Sequence, residues 1–319
     1  MSKPTRTDVR AVDPVLTNML VGYMNEPARF VADRAAPGIP VNSSAGTFFV
    51  FDQKYWMLDD AKERAWGGDF PEGGFGMSTD TYKTEQWATS HSIPDETRAD
   101  NQAPMELEQA GIMRLAQIQA LRKERLFAAA YMATGVWGTD ATGGSTSTKW
   151  STYATSDPVG DIRTAKRTIS QSIAQFPNVL IMGEIVFDKL INHPDLIDRI
   201  KYTARATVAT MEQALAAVMG VDEVLVGAAI YNTANEGQTG SYSPIVDDDA
   251  LLLYRPTSPG IFVPAAGYTF HWAPGGGLGG VMPIYYNDDK HADVIQSKAQ
   301  YVHKVVATGA GYFFSDYVD

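Results

Sequence analysis

Asp288, Asp289, His291 and Asp293 are the densest set of metal-ligating side chains in the chain. Carboxylates and an imidazole of this kind could hold a divalent cation and activate a water for hydrolysis. Their spacing argues otherwise. His291 and Asp293, at i and i+2, share a face only on a strand. The five histidines, at 91, 193, 271, 291 and 303, form no His-x-x-x-His pair. A polar surface turn is the expectation, and no metal is assigned. Asp247-Asp248-Asp249 lacks the alternating ligands and distal Glu of a calcium loop, so it reads as a solvated turn. Gly275, Gly277 and Gly280 spell Gly-x-Gly-x-x-Gly. Met282-Pro283 follows them instead of a helix, and no Gly-Lys-Ser/Thr occurs, so a flexible loop is expected and not a phosphate cradle. A Ser-His-Asp triad needs no sequence proximity, but the Gly-x-Ser-x-Gly elbow is missing. His193, ahead of Pro194, reads as a helix cap. Glu63 with Asp59, and Glu184 with Asp188, are carboxylate pairs that any acidic chain offers. No cofactor and no catalytic residue are assigned.

The elements that would position such groups say more. The chain has 319 residues, enough for one large or two medium domains. Its 26 Lys and Arg against 37 Asp and Glu leave a net charge of −11, which disfavours tight nucleic-acid binding. The absence of cysteine excludes disulfides, thiolate nucleophiles and Cys-ligated zinc. The opening MSKPTRTDVRAVDP has no apolar core of a signal peptide, so synthesis in a cytoplasm is expected and the Asn-Ser-Ser at Asn42 carries no meaning as a glycosylation site. The longest apolar run, 126–138, is short of the roughly 20 residues that span a bilayer.

Residues 1–45, interrupted by Pro27, Pro37 and Pro40, read as an arm. Residues 46–94 read as an extended hairpin, with strands near 47–51 and 79–87 and glycine pairs at 67–68 and 73–74 between them. Ten of the 34 aromatics fall in those 49 residues, so they need a surface to pack on, in this chain or in another subunit. Residues 104–133 predict a long helix of about 45 Å. Its apolar stripe (Leu107, Leu115, Ile118, Leu121, Met132) is interrupted by Arg114 and Arg125, which suits a spine touching several partners as well as it suits side chains reaching for solvent. After a Gly/Ser/Thr-rich loop at 139–156, Asp157 and Pro158 start a helix. Residues 179–182 predict a buried strand, Gly220 a helix C-cap, and 224–230 and 250–254 further strands. The alternation over 157–255 indicates a layered α/β unit.

The stretch PNVLIMGEIVFDKLINHPDLIDRIKY, 177–202, resembles the middle of tailed-bacteriophage major capsid proteins of the Hong Kong 97-type fold. The resemblance rests on Pro177-Asn178, the apolar strand, Gly183, Phe187, Leu190, His193-Pro194 and Ile200-Lys201-Tyr202. It implies an α+β fold with an N-terminal arm (1–45), an extended β-hairpin loop (46–94), a peripheral domain with the spine helix (95–156 and 294–319) and an α/β axial domain (157–293). It implies a structural subunit with no enzyme activity, assembling with itself into hexamers and pentamers of an icosahedral shell in the virion. Double-stranded DNA is enclosed without tight or sequence-specific binding, and no membrane is involved. A scaffolding protein, a portal and a decoration protein are the expected partners. On that basis Trp56, Trp66, Phe70, Phe75, Arg114 and Arg125 are candidate inter-subunit contacts. An encapsulin-like compartment is the alternative on the same fold. An α/β hydrolase-type enzyme using Asp288, Asp289, His291 and Asp293 is the alternative of another class.

Overall fold

The computed structural model describes residues 25–319 apart from 52–56, 60, 65, 67, 69, 71–73, 75, 101–106, 204–209 and 260–262. A one-turn helix α1 (Ala32–Ala35) leads into strand β1 (Gly38–Val41). Strands β2 (Ala45–Phe51) and β3 (Met77–Lys83) then pair antiparallel as a two-stranded ribbon. Strand β4 (Glu85–Pro94), short helix α2 (Asp95–Ala99) and the 25-residue helix α3 (Leu107–Tyr131) follow. Strand β5 (Asp140–Thr142) precedes helix α4 (Pro158–Ile173).

Local chemistry explains α4. The Asp157 side chain accepts the N–H of Gly160, Pro158 occupies the first turn, and Ala174 closes the helix in a left-handed conformation. Val159, Ile162, Ala165 and Ile169 form its buried stripe. Strand β6 (Val179–Gly183) is buried throughout and feeds α5 (Glu184–Ile191), α6 (Pro194–Thr203) and α7 (Met211–Met219). Thr210 caps α7 by accepting the N–H of Gln213, and Gly220 ends it at φ 66°. These helices return the chain to β7 (Glu223–Gly227), parallel to β6, which is a βαβ crossover. Strands β8 (Ile230–Asn232) and β9 (Tyr242–Pro244) make a small hairpin, and β10 (Ala250–Leu253) re-enters the sheet.

The remaining strands are β11 (Gly267–Trp272), β12 (Gly280–Val281), β13 (Tyr285–Asn287), the 14-residue β14 (Ala292–Val305) and β15 (Gly311–Ser315). They complete two sheets. The five-stranded sheet runs β5-β15-β10-β6-β7. The six-stranded sheet is organised on β14, which pairs with β11, β12, β13 and β4, while β1 lies parallel to β11. One face of the five-stranded sheet packs Leu180, Met182, Leu252 and Phe314 against Ile162, Ile169, Leu215 and Trp150. The other packs Ile181, Leu251 and Phe313 against Phe127 and Tyr131 of α3 and Val31 beside α1. The N-terminal half of α3 lies on the six-stranded sheet through Leu115, Ile93 and Ile295. The long helix therefore ties the two sheets together.

Three expectations change. Residues 1–45 are not simply an arm: 1–24 lie outside the described residues, but Val31, Ala32, Ala35 and Ala36 are buried in the chain's own core. Burying a valine there contributes about 1.5–3 kcal/mol, and the Val31 and Ala32 N–H groups are also tied to Glu124 of α3. The boundary at 293/294 also shifts, because β11, β12 and β13 belong to the six-stranded sheet with β14. Residues 294–319, expected to lie together in the peripheral domain, divide between the two sheets. β14 serves the six-stranded sheet, and β15 sits between β5 and β10 in the five-stranded one.

Candidate functional site

The residues with the most chemical promise do not converge. Asp288 and Asp289 are exposed in the turn after β13, and His291 sits there at φ 43°. Asp293 is on β14 and pairs with Arg98 at 2.6 Å. Among the described residues no group of three or more His, Asp or Glu could hold a metal ion. The Gly-rich loop packs on β14: a Cβ at Gly275 would meet Oε1 of Gln300 at 2.0 Å, so close approach of the backbone and not a phosphate explains that glycine. His193 is fully buried. Its Nδ1 accepts the Asp195 N–H (3.3 Å) at the start of α6, and its Nε2 lies 3.0 Å from Ser156 Oγ. Ser156 donates in turn to the Thr152 carbonyl (2.8 Å), so its proton is committed and the trio makes a helix cap. Asp249 accepts the Asp316 N–H at 3.1 Å, and burial with Asp248, Asp247 and Asp316 nearby pushes its carboxyl up to about 6. Glu184 lies 4.0 Å from Arg29.

The candidate contact residues present themselves differently. Trp66 is fully exposed and Phe70 is 80% exposed, with the Arg64 guanidinium 4.0 Å from its ring centre. Trp56 and Phe75 lie outside the described residues. Arg114 is exposed on α3. Arg125 is exposed too but stacks 4.5 Å over Tyr231 of β8, so part of its surface is already spent within the chain. A second exposed apolar strip runs from Leu278 through Val281, Met282, Ile284, Tyr285 and Tyr286 along β12 and β13. A strip of that extent marks an interaction surface.

The middle of α3 holds what the sequence did not reveal. Glu124 is 1% exposed, and its carboxylate accepts the N–H groups of Val31 (3.0 Å) and Ala32 (3.0 Å). Burial pushes this carboxyl up to about 7. Next to it Lys123 reaches Asp33 at 2.7 Å, and Arg122 stacks 3.8 Å over the Trp87 ring. Trp87 Nε1, Gln119 Oε1, Arg122 Nε and the Tyr301 hydroxyl are buried without a hydrogen-bond partner among the described residues. The only sequence signal for this seam was Arg-Lys-Glu interrupting an apolar helix, and the N–H groups it serves are about ninety residues away.

Among the described residues no cleft gathers a nucleophile, a base and an acid, whereas apolar and charged surfaces stand open. Residues 137–267 match the family model described as Phage major capsid protein E. A curated relative, the "Major capsid protein" of Burkholderia phage BcepMu, is 28% identical over 271 residues, covering 82% of this chain and 83% of that one. The chain is similar to tailed-phage major capsid proteins over most of its length. A solved phage-related protein from Bordetella bronchiseptica matches at TM-score 0.68 and 25% identity, covering 97% of this chain and 98% of that one. The capsid of Cyanophage P-SCSP1u matches at TM-score 0.58 and 10% identity, over 89% and 87% of the two chains. The fold is the α+β Hong Kong 97-type capsid fold. The stretch at 177–202 has a local structural explanation. Gly183 ends β6 where a Cβ would lie 1.8 Å from the Asp247 carbonyl oxygen, and His193-Pro194 caps the next helix. No helix of the described residues is long and apolar enough to cross a membrane.

Proposed function

We propose that this chain is the repeating subunit of the icosahedral shell that encloses the double-stranded DNA of a tailed phage, and that its role is structural and not catalytic. The observation that carries this reading is the BcepMu major capsid protein, alike over four-fifths of both chains. The exposed Trp66 and Phe70 support it, since a solitary subunit gains nothing by holding them in water. On this reading Trp56, Trp66, Phe70, Phe75, Arg114 and the free face of Arg125 are contacts with neighbouring subunits. Hexamers and pentamers build the lattice, and many weak contacts repeated around it hold the shell. A scaffolding protein, a portal and a decoration protein are the further partners. The net charge of −11 keeps the wall from adhering to packaged DNA.

Electron microscopy of the expressed protein, with and without its cognate scaffolding protein, tests the reading. Hollow shells or rings of five and six are expected. A monomer that stays unassembled in both conditions would refute it. Shells that package an enzyme in place of DNA would point to a compartment on the same fold.

A further inference from the structure

A groove of about 410 Å³ lies between α4 and the C-terminal end of α7. Val218 and Met219 give it an apolar lining, and Arg163, Lys166 and Arg167 stand along its α4 side. Phe176, which also lines it, is 71% exposed. Lys166 donates to the carbonyls of Met219 and Gly220 and is held by α7. Arg163 and Arg167 are exposed and make no hydrogen bond or ion pair among the described residues. Two unpaired arginines beside an exposed phenylalanine and an apolar lining, on a chain with net charge −11, describe a docking surface for an acidic polypeptide.

The chain carries a matching surface at the other end of the same unit. The groove lies where β6 begins: Lys166 bonds the Gly220 carbonyl, and the N–H groups of Asp222 and Glu223 meet the Asn178 carbonyl. Where β6 ends, Gly183 N–H bonds the Asp249 carbonyl (3.2 Å), and Asp247, Asp248, Asp249 and Asp316 collect there. Lys149 reaches Asp316 at 2.8 Å and offsets one of those four charges, leaving an excess of negative charge. The five residues of β6 put the two ends about 15 Å apart.

We propose that the groove receives the acidic end of a second copy of this chain, Asp247 and Asp248 meeting Arg163 and Arg167 while Phe176 is covered. This rests on the shell-subunit reading and names one of its contacts. The contact is heterologous, head to tail, and such contacts close into rings when the rotation permits. DNA phosphates would also attract the arginines, but they would leave Phe176 and the apolar lining uncovered.

The test is a charge swap in the full chain, read by particle yield with the scaffolding protein present. Arg163→Glu with Arg167→Glu, and separately Asp247→Lys with Asp248→Lys, are each expected to lower yield by at least about tenfold, because the lattice repeats every weakened contact. Combining all four in one chain restores opposite charges across the contact and is expected to recover most of the yield. The milder Arg163→Gln with Arg167→Gln, with melting of the unassembled subunit, separates assembly from folding. Unchanged yield from the reversed chains would overturn the proposal. So would reversed chains that assemble normally but package less DNA, or a fourfold variant that is not rescued. Those outcomes leave the shell reading standing, which fails only if the unaltered chain makes no particles.

Discussion

The two sheets of this molecule solve the burial problem in opposite ways. In the five-stranded sheet β6 and β10 are buried at every position, and helices cover one face while α3 and the Val31 segment cover the other. Its strands are near-continuous apolar runs, as expected where both faces are covered. The six-stranded sheet alternates along β14, holds α3 through a small cluster at one end, and puts a polar seam beneath the middle of the helix. Its far edge exposes Val281, Met282, Ile284, Tyr285 and Tyr286. The first sheet completes its core within one chain. The second is a platform that buries Phe270 beneath Phe48 and Tyr82 of the ribbon but leaves its 281–286 edge exposed. On the proposed reading, subunit stability rests mainly on the first sheet and assembly draws on the second.

Substitutions ordered by expected effect can break or sharpen that division. Trp150→Ala, in the core of the five-stranded unit, should cost about 3–5 kcal/mol by leaving a cavity. Thermal melting of unassembled subunits measures it, and a loss below 1 kcal/mol would mean that core is loosely packed. Glu124→Ala should cost about 1–3 kcal/mol, because two buried N–H groups lose their acceptor. Glu124→Gln, which keeps an acceptor oxygen, should cost less. The same residue gives a pH signature. Its folded carboxyl, at about 7, lies above the ordinary 4.5, so the native state binds the proton more tightly. The stability this adds is present below pH 4.5 and lost as pH rises through 7. Denaturant titrations across that window should slope downward for the unaltered chain and less steeply for Glu124→Gln. Equal slopes would mean the carboxyl is solvated.

Smaller effects test the platform. Arg125→Ala should cost about 0.5–1 kcal/mol of subunit stability through the lost Tyr231 stack. Arg114→Ala should leave melting unchanged and weaken assembly, and a matching loss of melting temperature would contradict its role as a contact. Tyr301→Phe, which removes a buried hydroxyl without a protein partner, should change stability by under about 1 kcal/mol. A large loss would reveal an ordered water network beneath α3.

Much of this was legible before any coordinates. Asp157 with Pro158, the run 179–182, and Gly220 each declare an element boundary through their own backbone chemistry, and each stands where expected. The ribbon was visible as two strand-like stretches with glycine between them, but it ends at Lys83: residues 85–94, read as part of the hairpin, are β4 on the six-stranded sheet. What stayed hidden depends on partners far along the chain. Glu124 looked like a helix-surface charge, since nothing near it says that the N–H groups of Val31 and Ala32 end at its carboxylate. Nothing in the sequence around Arg163 and Arg167 announces the groove that α7 closes beside them.

Local chemistry, carried by caps, glycines, prolines and apolar periodicity, therefore determined where helices and strands begin and which stretch resembles capsid proteins. Tertiary structure alone decided that β14 and β15 serve different sheets, that Val31 to Ala36 is core and not arm, and which charges are buried. The physical reason is that a strand's apolar pattern specifies a buried face but not the sheet that will bury it. That choice belongs to contacts between residues far apart in the chain.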